Sequence, residues 1–472
     1  MYRLPARFLA AALVIVFASS AHAAQRGAVA GVDDFIASEM RRSRIPGLAL
    51  AVVKDGRVIL TRCYGLANVE HKVPVKPETV FQSGSIGKQF VAAAVLLLVE
   101  DGKLSLDDTV DKFFAPAPES WKTITIRHLL THTSGMQDYP ADYDLRRDYT
   151  QEELLAIVKA SPLASSPGES WSYSNLGYVT LGILIGKVTG KFYGEFLRER
   201  VFGPLGMTTA RVISEADIVL NRSAGYRVVN GEIKNQNWVS PSVNTTADGS
   251  LYLTLVDMVK WDAALSSGKL LSSSSLELVW TAARLSDGRA THYGFGWHTE
   301  VFRGRRVVHH GGAWQGFKSY IARFLDDHVT VIVFANCWDA NEIRIARGVA
   351  AAFLPDIPPP PTVEPLTAVD PAVTSLAKQA LRQLAEGAPD PILFTSEAQA
   401  QLLPDGARRI RERLNAFSVP PAVIASIALV GQSQGNGVRV FQYALGDLLR
   451  GEIMTLRVAP DGRIAGLELR PE

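Results

Sequence analysis

Ser85 and Lys88 stand three residues apart in "QSGSIGKQF" (residues 82–90), and that spacing puts two side chains on one face of a helix. A serine hydroxyl is a weak nucleophile until a neighbouring base takes its proton, and a lysine can serve only after losing one of its own. Near a reference pKa of ~10.4 that loss costs roughly 4–5 kcal/mol at pH 7, and a tyrosine near ~10 fares little better. Such a pair therefore needs burial, cationic neighbours and further groups to move the proton. Spacing alone does not single it out, because Ser266–Lys269 and Ser375–Lys378 repeat it. Context does. Ser85 and Lys88 lead into "FVAAAVLLLVE" (90–100), apolar on nearly every side and stopped at Asp101-Gly102, which reads as a buried helix. Backbone N–H groups at its start would favour an oxyanion; the plainer alternative is that Ser85 caps the helix.

Two later segments supply partners. "PGESWSYSNLGYVTLG" (167–182) carries Tyr173-Ser174-Asn175 on a loop entering a helix, where Asn175 could equally be a cap and Tyr173 a packing residue. "VVHHGGAWQGF" (307–317) puts His310, Gly311, Gly312 and Ala313 at the end of a strand, where glycines permit close approach of a substrate, or mark a bulge.

The elements that must bring these together are legible as patterns. "LALAVV" (48–53), the turn 54–56 and "RVILTRC" (57–63) form a hairpin. From about 104 to 280 the pattern is mostly helical, and strands return at 305–310, 317–324 and 329–337 before a helix at 341–354. Apolar strands at both ends of one domain are buried only if they meet in one antiparallel sheet, with a helical lobe beside it. "PDIPPPPTVEP" (355–365) is a stiff linker. Beyond it, helical patterns at 371–386 and about 396–416 precede four strands, a small α+β module. The expected division is a leader at 1–23, a main domain at 24–354, a linker at 355–367 and the module at 368–472.

At 472 residues the chain is long enough for two domains, and its formal charge of +2, without any block of like charge, gives no reason to expect nucleic acid as a partner. Arg3 and Arg7, the apolar run Phe8–Ala18 and Ala21-His22-Ala23 make a secretory signal, so a periplasmic or secreted protein without a membrane span is expected. Cys63 and Cys337 could form one disulfide there or remain free. Two motifs are set aside. "GQSQG" (431–435) fits a nucleophile elbow but lies between strands with no helix after it, and is expected to be a hairpin turn. His128 and His132 lack the Glu of H-E-x-x-H, so no metal or cofactor is expected.

Taken in order, Ser-x-x-Lys, Tyr-x-Asn and His-Gly-Gly, with "IPGLALAVVKDGRVI" (45–59) and "TIRHLLTHTSGM" (125–136), resemble the serine β-lactamase and penicillin-binding protein superfamily. The nearest likeness is to its class C-like branch of D-Ala-D-Ala carboxypeptidases and esterases, over about residues 32–354. The resemblance implies a β-lactamase/transpeptidase-like α/β (α+β) fold. It makes Ser85 the nucleophile, Lys88 its activator, Tyr173 a proton shuttle, and Asn175 the group that orients the substrate amide. Ala313 would join Ser85 in an oxyanion hole at Gly311-Gly312. His310 replaces the Lys of a K-T-G motif; if it titrates in the usual range, anionic substrates gain as pH falls from about 8 to 6. The implied substrates are esters, D-amino-acid amides or peptides, or β-lactams; the alternative is a non-catalytic binding or sensor protein. The final strands resemble the cystatin-like modules of the nuclear transport factor and ketosteroid isomerase group.

Since the trio lies wholly before the proline run, a chain ending near residue 357 is expected to fold and keep its acylation chemistry. Mass spectrometry after fluorophosphonate treatment checks this, and a folded but unreactive truncation would place the small module in the active site.

Overall fold

The computed structural model describes residues 29–354, 357, 370–402, 406–408, 410, 427–435, 437–444 and 452–471. The leader and nearly all of the proline linker lie outside the described residues. The chain divides into two compact units, up to Pro359 and from Pro360.

The first unit is built on a seven-stranded antiparallel sheet. Helix α1 (29–42) leads into β1 (Gly47–Lys54), β2 (Arg57–Asn68) and the short β3 (Val73–Pro74). Much later come β4 (His298–Phe302), β5 (Arg305–Trp314), β6 (Phe317–Phe324) and β7 (Val329–Ala335). The order β3-β2-β1-β7-β6-β5-β4 pairs β1 with β7, so the two ends of the domain meet in one sheet as expected. β1 and β7 are apolar without alternation because both faces are covered. Ala49, Ala51, Ile321 and Ile332 face a large helical core, while Leu48, Leu50, Val331 and Val333 face a second core with α1 and α5 (Glu342–Ala351). In the helical lobe lie α2 (Gly87–Glu100), α3 (Asn175–Thr189) and α4 (Leu255–Ser267). The stretch 104–280 also holds short strands that its composition hides, among them Arg211–Val212 and Leu251–Leu253. Leu251–Leu253 lies between Phe81–Gln82 and Arg211–Val212 in a three-stranded sheet.

Cys63 and Cys337 are free. Cys63 lies opposite Ala49 of β1, and Cys337 follows β7 on the other side of that strand. Two strand spacings, about 9–10 Å, separate their ladders, too far for a disulfide.

The second unit has its own core, with α6 (Pro371–Glu386) and α7 (Ser396–Leu402). Its meander is β8 (Ala428–Gly435), β9 (Val438–Ala444), β10 (Glu452–Val458) and β11 (Ile464–Pro471). The "GQSQG" segment is not the turn expected of it. It continues β8, with Ser433 paired to Val440 after a bulge at Leu429/Gly431 that lets the ladder run on to Gly435.

What positions the chemistry is the junction between β5 and the single 3-10 turn Gly84–Ile86 that opens α2. β4 pairs only with Arg305–His309, so from His310 onward that edge of β5 has no strand partner. The turn occupies it. Gly84 has φ +52°, and a Cβ there would come within 2.3 Å of the Ala313 amide nitrogen. At Gly312 a Cβ would lie 2.0 Å from the Ser83 carbonyl oxygen and 2.4 Å from Ser319 Oγ. Gly312→Ala should therefore cost about 1–3 kcal/mol through forced displacement and cut the rate of acylation at Ser85 at least tenfold. Thermal unfolding and labelling kinetics measure both, with Gly435→Ala, where a Cβ meets nothing within 4 Å, as the neutral control.

Candidate active site

Ser85 does not cap α2. It sits inside the 3-10 turn, and neither the turn nor the helix has a side-chain cap bond at its N-terminus. One turn on, Lys88 is fully buried, the lone ionisable side chain among the apolar residues of α2 before Glu100. Its Nζ donates to Ser85 Oγ at 3.0 Å, to Asn175 Oδ1 at 2.8 Å and to the backbone carbonyl of Asp248. Burial pulls the amine down to about 8, against the opposing pull of the Asp248 and Asp138 carboxylates.

Asn175 is the first residue of α3, and the cap expected of it is made by Ser174, whose Oγ accepts from the Gly177 amide. That leaves the Asn175 side chain free for the site. Asp138 receives both the Asn175 backbone N–H at 3.1 Å and Nδ2 at 3.0 Å, which fixes Oδ1 toward Lys88. Tyr173 is hydrogen-bonded to Ser85, its ring lies 4.9 Å from Lys88 Nζ, and burial holds its hydroxyl well above the usual tyrosine range. Lys88 is thus the group closest to giving up a proton near neutrality, and Tyr173 remains a neutral donor. At a pKa near 8 the neutral amine costs only ~1.4 kcal/mol at pH 7.

A count of donors gives the direction of transfer. Protonated Lys88 has three N–H groups for its three acceptors, and the neutral amine has two plus a lone pair. Asn175 Oδ1 and the Asp248 carbonyl can only accept, so the bond that must reverse is the one to Ser85, whose O–H then points at Nζ.

His310 is in the cleft but not as expected. Its ring is buried, Nδ1 lies 2.6 Å from the Gly311 carbonyl and Nε2 lies 2.9 Å from Tyr293 Oη. A carbonyl requires a donor, so Nδ1 carries the hydrogen and Nε2 accepts from Tyr293. Burial, helped by Lys88, lowers its pKa to about 3. The expected titration between pH 8 and 6 is therefore overturned, and His310 has no N–H to offer a substrate carboxylate. Gly311 and Gly312 bring Ala313 N beside Gly84, next to the Ser85 amide.

Asp138, Asp248 and Tyr293 belong to no motif read from the sequence, and His132 stood out there only as half of a metal-ligand pair with His128 that was set aside. His132, at φ +58°, accepts the Ser174 amide on Nδ1 and stacks 4.2 Å from the Tyr173 ring, so it fixes the Tyr-x-Asn loop. His128 Nδ1 accepts from the Thr125 amide instead. The run "YGFGW" (293–297) was an available signal for Tyr293; Asp248 had none beyond its neighbour Gly249.

Residues 32–354 match the family model described as Beta-lactamase. The chain belongs to the beta-lactamase family. Within it, penicillin-binding protein 4* of Bacillus subtilis is 30% identical over 352 residues, 70% of this chain and 77% of that protein. The D-aminopeptidase of Gluconobacter oxydans is 29% identical over 317 residues, 65% of this chain but only 59% of that protein's length. Among solved structures, an octameric penicillin-binding protein homologue from Pyrococcus abyssi aligns at TM-score 0.62 and 25% identity, covering 91% of this chain and 90% of that one. A D-amino acid amidase from Ochrobactrum anthropi SV3 aligns at 0.61 and 25%, covering 69% and 98%.

For this family member kcat/KM should rise with pH to a plateau above an apparent pKa near 8, falling about tenfold per unit below it. Asp248→Asn removes a carboxylate that favours the lysinium, so the limb should move to lower pH. A limb that stays in place in the variant would show that Lys88 does not govern it.

Proposed function

We propose that the protein is a serine hydrolase that works through an acyl-enzyme at Ser85, on amide or ester substrates of the D-amino-acid and peptide type. The observation that carries this reading is the contact from buried Lys88 Nζ to Ser85 Oγ at 3.0 Å, with two carbonyl acceptors fixing the remaining N–H bonds. Neutral Lys88 takes the Ser85 proton as Oγ bonds to the acyl carbon, and the amides of Ser85 and Ala313 receive the oxyanion. As the carbon–leaving-group bond breaks, Tyr173 gives its proton to the departing atom and regains one from Lys88. Water then enters by the reverse relay and releases the acid. The Asn175 Nδ2 group is held by Asp138, so its orientation of the substrate amide would require that bond to be shared. Names such as D-aminopeptidase and D-amino acid amidase among the relatives favour amides over β-lactams, as does a neutral His310. The secretory-type leader supports action in the periplasm or outside the cell.

Treatment with a fluorophosphonate, and separately with a fluorescent penicillin, should give a mass adduct on Ser85 with the former and little with the latter. Lys88→Ala should depress acylation about as severely as Ser85→Ala, and the double variant should lose little more, because residues acting as one unit are not additive. No adduct with either reagent would favour a binding or sensor protein.

A further inference from the structure

At the end of the sheet away from Ser85, a cavity of about 380 Å³ opens between the Asp55-Gly56 turn after β1, the last residues of β6, the first of β7 and the C-terminal half of α4. That is room for a small molecule. Five residues of β6, about 17 Å at strand rise, separate Arg323 in its lining from Lys318, the partner of Ala313. The floor is an ion pair. Arg323 and Asp262, with side chains 8% and 3% exposed, meet at 2.8 Å. A buried pair stabilises a fold little or no more than hydrocarbon of the same shape, so stability alone does not account for it. Arg323 gives Nε to Asp262 Oδ1 and Nη2 to Ser266 Oγ at 2.6 Å, while Nη1 is shut from solvent and the guanidinium lies 5.1 Å from the Trp280 ring. Thr330 donates its hydroxyl to the same Oδ1 at 2.8 Å, and Ser266 donates to the Asp262 backbone carbonyl at 3.0 Å. Oδ1 therefore has two donors. Oδ2 has none among the described residues and is not shut from solvent, so it is the oxygen left for the cavity.

We propose that this cavity is a second binding site, for a small organic molecule that donates a primary ammonium to Asp262 Oδ2 and lays a short hydrocarbon chain along Val53 and Leu325. The chemistry follows from what the lining has left to offer. Its buried cation is engaged on the inner side, and its two hydroxyls donate to Asp262, so the groups that remain are acceptors: Oδ2 and, on the exposed turn, the carboxylate of Asp55. Two carboxylates stand against one guanidinium, which favours a cation. An anion would meet both carboxylates, with the ring of His328 on the outer turn as the side chain left to receive it. A neutral alcohol could donate one hydrogen bond to Oδ2, whereas an ammonium donates a charge-assisted one and keeps two further N–H groups for Asp55 and water. No residue of this lining belongs to the Ser85 cleft, so the site stands apart from the acyl-transfer chemistry.

The test is NMR of the full chain carrying labelled Val, Leu and Ala methyl groups. It is titrated at about pH 8, where alkylamines are charged and imidazoles in general are not. n-Butylamine, n-butanol and butyrate present a cation, a neutral group and an anion on one skeleton. The Val53 and Leu325 methyl signals should shift and saturate, with half-saturation by the amine at a concentration about tenfold below the alcohol and with butyrate weakest. Ala313 reports binding in the Ser85 cleft instead. Asp262→Asn should raise the half-saturation concentration of the amine about fivefold and Asp55→Asn about twofold, with the alcohol little changed in either. Shifts confined to Ala313, no shift with the amine, equal response to all three compounds, a stronger response to butyrate, or an amine affinity untouched in both variants would overturn the inference. Asp262→Asn leaves Arg323 buried beside a neutral amide. Should that variant not fold, the ranking in the unaltered protein decides together with Asp55→Asn, which lies on an exposed turn at φ +50°, a conformation asparagine adopts readily.

Discussion

Everything in the first unit that bears on chemistry depends on keeping one amine dry. Lys88 is enclosed by a helix whose other side chains are glycine, glutamine and hydrocarbon up to Glu100, and the sheet closes over that helix from the other side. Hydration would return the amine to its ordinary strength and cost the site most of its advantage at neutral pH. The three acceptors around Nζ come from the 3-10 turn before α2, the start of α3 and the Asp248 loop, so three segments must be in register for the count of donors and acceptors to close.

Register of that quality is set by side chains bonded to main chain. The Asp248 loop is tied to the nucleophile's turn by the bond from the Ser83 amide to Leu251 and from Ser83 Oγ to Gly249. On the opposite side Ser319 Oγ donates to the Ser83 carbonyl at 2.5 Å, joining β6 to the same residue. Ser83 is thus a knot between the small sheet, the large sheet and α2. Asp138 holds Asn175 by two bonds, and His132 holds the residue before it. A buried polar cluster with this many satisfied members resists rearrangement more than its individual bonds suggest.

Much of this was legible in the sequence, and the reasons are physical. β1, β7 and α2 announce themselves because continuous apolar runs have few alternatives to double-sided burial, and the meeting of chain ends in one sheet follows from it. Ser85, Lys88, Tyr173, Asn175 and the glycines of β5 are readable because the chemistry demands those types in those settings. Protonation was not readable: His310 becomes a hydrogen-bond acceptor through Tyr293, a residue 17 positions away that sequence does not place beside it. Asp248 is invisible for a similar reason, since its relevance is a backbone carbonyl and an enclosed carboxylate oxygen. β4 and the short strands between 211 and 253 escaped because two to five residues carry too little periodicity, and "GQSQG" because a bulge lets a glycine-rich stretch stay in a ladder.

The seam where Gly84 and Gly312 let main chain touch main chain has an evolutionary side. A nucleophile fastened to its oxyanion donors by peptide groups owes its placement to side chains that are absent, and so is indifferent to most substitutions in the cleft walls. Beyond Asp138 and Tyr139, the outer part of the loop at 140–149 with Tyr143 and Tyr149 can change size and shape while the reacting atoms keep their geometry. Such an arrangement separates the part of the protein that performs bond-breaking from the part that chooses the bond. It allows a lineage to drift from one acyl donor to another without passing through an inert intermediate.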